Sequence, residues 1–245
     1  MENKEISIII PCRNEENYIA SCLESIINSD YPNDLLEVKV VDGMSDDKTR
    51  EIVKEYSKKY NFIELVDNIK KTTPFAFNLG IMSSSCDFIM FMGARFEISK
   101  NYISYSINKL KKDTCLGCIG GAIYNNFENE MSETISKAMN SRFGVGIGSF
   151  RTNFDAEIYV DTVSCAVYKN SIFIEVGLFD EKLTRNQDDD FNYRVLKAGY
   201  KILSSGKIFY KYMVRASFPK LFKQYYQYGY WKVFVNKKHK TIIFL

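Results

Sequence analysis

Two short apolar runs near the N-terminus each stop at a polar loop that opens a helical pattern. Ser7-Ile8-Ile9-Ile10-Pro11 leads into Arg13-Asn14-Glu15-Glu16, and Val38-Lys39-Val40-Val41 leads into Asp42-Gly43-Met44-Ser45-Asp46-Asp47. Runs of this kind are read as parallel strands that carry ligand-binding groups to one edge of an open α/β sheet. That edge suits a nucleotide.

The alternation continues beyond them. The spacing of Ile19, Cys22, Leu23, Ile26 and Ile27 predicts a helix over 18–29, started by Asn14 and the two glutamates. A strand over 36–42, a helix over 48–59, a strand over 62–66, a helix over 74–84 opened by Pro74 and a strand over 87–92 follow. Strands alternating with helices specify a doubly wound, mostly parallel sheet. The second half is less regular, with helices expected over 100–111 and 130–140, strands over 118–122 and 161–167, and a short helix over 169–176. Gly144-Val145-Gly146-Ile147-Gly148-Ser149 lacks the third glycine of a dinucleotide fingerprint and reads as a flexible acceptor-side loop or a structural turn.

At 245 residues and 46% hydrophobic content the chain can bury a full core as one domain with a C-terminal appendage. The net charge of +3 hides an asymmetry: the stretch 201–245 holds ten Lys or Arg and no Asp or Glu. An acidic body with a basic tail points to an anionic partner at that end. Phe218 to Val235 adds aromatic residues to the lysines. It is too polar to span a bilayer, and reads either as an interfacial helix or as half-buried aromatics covering the sheet.

Six cysteines lie in or beside apolar runs and Met1-Glu2-Asn3-Lys4-Glu5 is no leader, so a reducing cytoplasm is expected. With one histidine, His239, in the chain and one close cysteine pair, Cys115 and Cys118, zinc sites and Ser-His or Cys-His catalysis are disfavoured. Chemistry then falls to carboxylates, cations and backbone. The richest cluster is Gln187-Asp188-Asp189-Asp190, where helix-dipole complementarity accounts for one or two acids but not for three beside Arg194.

These residues together resemble the inverting family 2 glycosyltransferases of the GT-A fold, and among them the bacterial exopolysaccharide enzymes of the succinoglycan-biosynthesis type. The likeness is carried by residues 9–16, 41–47 and 74–81, by Gly177-Leu178-Phe179-Asp180-Glu181, by Asn186 to Arg194 and by Gln224 to Trp231, in that order. It implies a domain over 1–215, with a nucleotide-binding half at 1–98 and an acceptor half at 99–215. Beyond it runs an amphipathic tail at 216–245 that can associate with a membrane.

The resemblance also implies a donor site of Pro11, Arg13, Asn14, Glu15, Asp42, Lys71, Asn78, Gly93 and Arg95, with Asp42 accepting a hydrogen bond from a uridine base. Ordinary packing is an equal alternative for Asn78 and Lys71. Asp188 is the expected catalytic base, Asp190 the second choice, and Asp189 is expected to face solvent. Arg194, Gln224, Gln227, Tyr228 and Trp231 are expected near the diphosphate and acceptor, although the family's Gln-x-x-Arg-Trp motif is degenerate here.

One departure stands out. Where the family carries Asp-x-Asp to hold Mg²⁺ or Mn²⁺ against the diphosphate, this chain reads Gly93-Ala94-Arg95. Three alternatives stay open: Arg95 in place of a metal, an ion held by another acid such as Glu97, or lost turnover. A purely structural Arg95 would pair with Asp42 or with the Asp188 cluster. The expectation is weak or absent metal dependence.

The implied function is inverting transfer of a hexose from a nucleotide diphosphate sugar, UDP-linked, to a saccharide or lipid-linked acceptor in surface polysaccharide synthesis. It would act at the cytoplasmic face of the membrane, without nucleic acid. The alternative is a non-catalytic sugar-nucleotide or polysaccharide-binding protein. The apolar end Thr241 to Leu245 leaves open a longer membrane protein.

Overall fold

The computed structural model describes residues 4–127, 129–139, 156–214 and 217–241. The 144–149 loop therefore lies outside the described residues. The first half alternates as β1 (Ile6–Cys12), α1 (Ile19–Ile27), β2 (Leu36–Asp42), α2 (Thr49–Lys59), β3 (Ile63–Asp67), α3 (Thr73–Met82) and β4 (Phe88–Phe91). Then come β5 (Phe96–Ile98), α4 (Tyr102–Lys112), β6 (Leu116–Asn126), α5 (Glu130–Met139), β7 (Glu157–Tyr159) and β8 (Val167–Lys169). The chain continues through α6 (Ser171–Glu175), α7 (Gln187–Lys197), β9 (Lys201–Met213) and α8 (Phe218–His239).

Among the described residues, nine strands form one sheet with the path β3-β2-β1-β4-β8-β6-β9-β5, and β7 pairs with β9. β1 runs parallel to β2 and β4, and β2 to β3, so these four strands end on the same edge. β8 enters antiparallel beside β4 and joins this parallel half to β6 and β9.

Period-two alternation feeds two cores. Ile6, Ile8 and Ile10 of β1 face one side with Leu23, Ile26, Val53 and Ile103 from α1, α2 and α4. Ile9 faces the other side, with Ala76, Ile172, Phe173, Phe191 and Val195 from α3, α6 and α7. Helices cover both faces, which is why β1 reads as a continuous apolar run.

On the second side α3 lies unusually close to β1. A methyl group at Gly80 would stand 2.6–2.7 Å from three side-chain carbons of Ile9, which is fully buried. Alanine gains about 1 kcal/mol of helix propensity over glycine, but overpacking a tight core costs about 1–3 kcal/mol. Gly80→Ala is therefore expected to lower the midpoint of urea unfolding, and a raised midpoint would show that this contact is slack.

Two expectations change in the second half. Residues 161–166 do not form a strand, because Cys165 sits at φ +53° and breaks an extended run; the strand is β8, starting at Val167. β9 is a long strand that the spacing did not announce. Between its pairings of Ser205 with Gly121 and Phe209 with Ala122 the register shifts, so one end pairs with β7 and the other with β5.

Candidate functional site

A cleft of about 480 Å³ opens at the carboxyl ends of the four parallel strands. Pro11 and Cys12 end β1 and Arg13 and Glu15 follow it, Gly43 follows β2, Asn68 and Lys71 to Thr73 follow β3, and Gly93 to Arg95 follow β4 up to Phe96, the first residue of β5. The strand order reverses direction about β1 and β4, the position where open α/β sheets place ligands. Thr184 and Arg185 before α7, Tyr212 of β9 and Gln227 of α8 close the cleft from the other side.

The loops after β1 and β2 hold each other in place. The backbone N–H groups of Asn14, Glu15 and Glu16 donate to Ser45 Oγ, Thr49 Oγ1 and Asp47 Oδ2 at 2.8, 2.8 and 3.2 Å. In return, the backbone N–H groups of Asp46 and Lys48 donate to the side chains of Asn14 and Glu16 at 3.1 and 3.0 Å. Asn14, Met44, Lys71 and Asn186 all adopt left-handed φ, so backbone strain gathers in segments bordering the cleft or α7. After β3, Asn68 fixes the turn: its Oδ1 accepts from Lys71 N–H at 2.9 Å and its amide donates to Thr72 O at 3.0 Å.

Asp42 is not in this lining. It is fully buried; Ser45 N–H donates to it at 2.9 Å, Arg50 at 2.7 Å and the Cys12 thiol at 3.6 Å, with the Ser45 hydroxyl a further donor. Burial alone would raise its carboxyl, but the hydrogen bonds from Ser45 and Arg50 outweigh burial and hold it below the usual carboxylate range. Both of its oxygens are engaged by donors inside the wall, and the residue expected to meet a base is set behind the lining. Gly43, next in sequence, is the residue that faces the cleft.

Arg95 pairs with neither Asp42 nor the Asp188 cluster. Its Nε lies 2.7 Å from Glu15 Oε2, and its guanidinium lies 4.2 Å from the centre of the Tyr18 ring. The lining thus brings together four cations, Arg13, Lys71, Arg95 and Arg185, against one carboxylate, Glu15.

The acidic cluster at the start of α7 divides its labour. Asp189, expected to face solvent, is buried: it accepts from Lys232 Nζ at 2.7 Å and from the Asn186 amide at 2.8 Å. Asp190 is completely buried, with Arg194 on one oxygen at 3.0–3.1 Å and Lys238 and His239 on the other at 2.7 and 2.8 Å. Burial opposes its charge, yet Lys238, Arg194 and His239 together hold its carboxyl below the ordinary range. Asp188 is the member left with an exposed surface. It nevertheless sits among dense protein, so desolvation first and the neighbouring Asp189 carboxylate second push it up to about 6. It lies three residues after Arg185, which lines the cleft, with the left-handed Asn186 between them.

Several expected residues serve as struts instead. Asn78 donates to Phe179 O at 2.9 Å and accepts from Phe179 N–H at 2.9 Å, clipping α3 to the 179–181 segment. Arg194 is turned inward, donating to Val176 O at 2.7 Å and Leu178 O at 2.8 Å besides Asp190. Asn14 donates to Asp46 at 2.7 Å, and Gln224 donates to Tyr228 at 2.7 Å. Trp231 packs on Tyr230 and Phe234, and among the tail residues expected at the site only Gln227 enters the lining, holding Arg185 Nε at 3.3 Å. Sequence reasoning missed Asn68, Thr72, Thr73, Thr184, Arg185 and Tyr212. Position after β3 could have found the first three; nothing local marks the others.

α8 lies back on the body through Lys232, Val235 and His239. Its opposite face leaves Phe218, Phe222, Tyr225, Tyr226, Tyr230, Val233 and Phe234 exposed, with Lys223 and Lys237 beside them. Among the described residues no helix is long and apolar enough to cross a membrane.

Comparison with known proteins agrees with this architecture. The Glycosyl transferase family 2 model matches residues 7–177. A dolichyl N-acetyl-alpha-D-glucosaminyl phosphate 3-beta-D-2,3-diacetamido-2,3-dideoxy-beta-D-glucuronosyltransferase of Methanococcus voltae is 34% identical over 98% of this chain and 77% of its own length. The succinoglycan biosynthesis protein ExoA of Rhizobium meliloti is 26% identical over 96% of this chain and 71% of its own. Among solved structures, S. aureus TarS in complex with UDP-GlcNAc superposes with a TM-score of 0.65 at 17% identity, over 87% of this chain and 59% of that one. The mannosyltransferase PcManGT of Pyrobaculum calidifontis with GDP-Man and Mn²⁺ gives 0.63 at 17% identity, over 87% and 57%. These neighbours fix the GT-A fold, and their different nucleotides show that the fold alone does not choose the base.

Proposed function

Since the chain belongs to glycosyl transferase family 2, we propose that it transfers a hexose with inversion from a UDP-sugar to a lipid-linked saccharide. The observation that carries this reading is a cation-lined cleft at four strand ends, with a carboxyl raised to about 6 three residues after Arg185 of its lining. The donor's anionic diphosphate matches the four cations. Asp188 takes the proton of an acceptor hydroxyl as its oxygen bonds to the anomeric carbon; the bond to the diphosphate breaks on the opposite face, and the nucleoside diphosphate departs with the electron pair. A uridine donor is supported by the family motif around Pro11 and Glu15, with Asp42 acting through the loop it anchors.

Calorimetric titration tests the donor. UDP is expected to bind one site more tightly than GDP, and equal or reversed affinities would reject uridine. The lipid-linked acceptor is supported by the name of the Methanococcus voltae relative and by the outer face of α8, where aromatics flanked by lysines suit an anionic bilayer surface at the cytoplasmic side. Burial of one aromatic side chain contributes about 1.5–3 kcal/mol. Phe222→Ser combined with Tyr226→Ser is therefore expected to weaken co-sedimentation with phosphatidylglycerol vesicles by about tenfold or more. UDP affinity should stay unchanged; unaltered sedimentation would remove the membrane from the reading.

A further inference from the structure

We propose that this cleft binds the donor's diphosphate directly through Arg13, Lys71, Arg95 and Arg185, in place of the divalent metal that the fold's relatives use. The inference rests on the nucleotide-sugar reading above and deepens it. A GT-A neighbour holds Mn²⁺ with its donor, so the residues here must first be tested against such an ion.

They do not fit one. Hard divalent cations take oxygen ligands, chiefly carboxylates, and the strand end that should present them carries Gly93-Ala94-Arg95. A Cβ at Gly93 would meet the tip of the Phe96 ring at 3.2–3.3 Å, so the ring packs closely on the backbone where a first carboxylate would start. The one acid in the lining, Glu15, is engaged by Arg95 at 2.7 Å. Glu97 lies outside the lining, on β5 opposite Lys211. Among the described residues no group of three His, Cys, Asp or Glu is placed to hold a metal.

The cations are placed for the alternative. Arg95 is held between two neighbours: Glu15 Oε2 lies 2.7 Å from its Nε, at the inner corner of the guanidinium, and the Tyr18 ring centre lies 4.2 Å from its central carbon. A guanidinium held in this way is a pre-oriented fork for phosphate oxygens. Lys71 sits at left-handed φ, locked there by the Asn68 side chain, so the turn is built to set this residue at the cleft. Arg185 approaches from the far wall, steadied by Gln227 of α8. Opposed cations on two walls neutralise charge developing on a leaving diphosphate, the task a bound metal performs elsewhere.

The test is calorimetric titration of the full chain with inorganic pyrophosphate and with UDP, first in EDTA and then in Mn²⁺. Both are expected to bind in EDTA, with Mn²⁺ changing either affinity by less than about threefold because the cations are already in place. Arg185→Gln, at an exposed position that does not hold the fold, and Arg95→Gln should each weaken both ligands by about tenfold. Binding that requires Mn²⁺, no binding under either condition, or metal-free binding indifferent to both substitutions would each overturn the proposal. If pyrophosphate binds in EDTA but UDP binds no more tightly, the cation site stands and the nucleoside reading fails.

Discussion

Asp188→Asn is expected to lower sugar transfer by about 10²–10⁴-fold while leaving UDP affinity unchanged, the signature of a lost general base rather than a lost ligand. Asparagine keeps the size and helix-start position of the side chain but cannot accept the acceptor's proton. The pH profile supplies an independent check. A base works only when ionised, and burial with the Asp189 charge raises this carboxyl to about 6. In the wild type kcat/KM should therefore fall as pH drops through about 6, and the residual activity of the variant should lack that limb. The same shift makes a stability statement. Because the folded value lies above the unfolded one, the native state holds the extra proton between about pH 4 and 6, so stability contributed by Asp188 is lost as pH rises through that window. Wild-type transfer rates in the variant would exclude Asp188 as the base. UDP binding without hydrolysis or transfer across donor and acceptor panels, in the wild type itself, would favour the binding-protein alternative.

Asp190→Ala is expected to destabilise the protein by about 3 kcal/mol and to loosen the end of α8. The carboxylate is fully buried and is the common partner of Arg194, Lys238 and His239. Its removal leaves Arg194 without a carboxylate beside the core ring of Phe191 and takes from His239 its acceptor, while Lys238 keeps Asp180 at 2.7 Å. The cost is chiefly that of the uncompensated Arg194 charge, and the partial exposure of Arg194 together with the Asp180 partner of Lys238 keeps it from being larger. Chemical unfolding reads the global effect, and hydrogen exchange over 232–239 reads the local one. The Asp190 carboxyl is held below its ordinary range, so its contribution is present at neutral pH and is lost only as pH falls below about 4. The gap between wild type and variant should close there. Unchanged stability at pH 7 would show that α8 is held by Val235 and its neighbours alone.

Elements built from local periodicity were legible. The first four strands and the helices between them fall within a residue or two of where spacing puts them, because apolar runs and turn residues are short-range signals. β9 was not legible: its polar Ser204, Ser205 and Gly206 interrupt the apolar pattern, and the strand is held by partners on both sides, β6 on one and β5 and β7 on the other. In the site, Pro11, Arg13, Glu15, Lys71, Gly93 and Arg95 come together in one lining, since each ends or follows a parallel strand. Asp42 and Asn78 share the same neighbourhood in sequence yet turn inward, a choice made by Arg50 and by the Phe179 backbone.

What the sequence by itself determined is the edge: two apolar runs ending in polar loops place Pro11 to Glu15 and Gly43 at the cleft, and the strand end before Phe96 carries Gly93-Ala94-Arg95 with no carboxylate. Those are properties of residue type and strand period, and they need no partner. What only the tertiary structure decided is the division among three adjacent aspartates. Asp189 and Asp190 are drawn inward by Lys232, Lys238 and His239, residues more than forty positions away, while Asp188 is left with an exposed surface. A helix start fixes that acids are welcome there, but which of them meets solvent depends on where a distant helix packs, and that is set by the whole sheet between them.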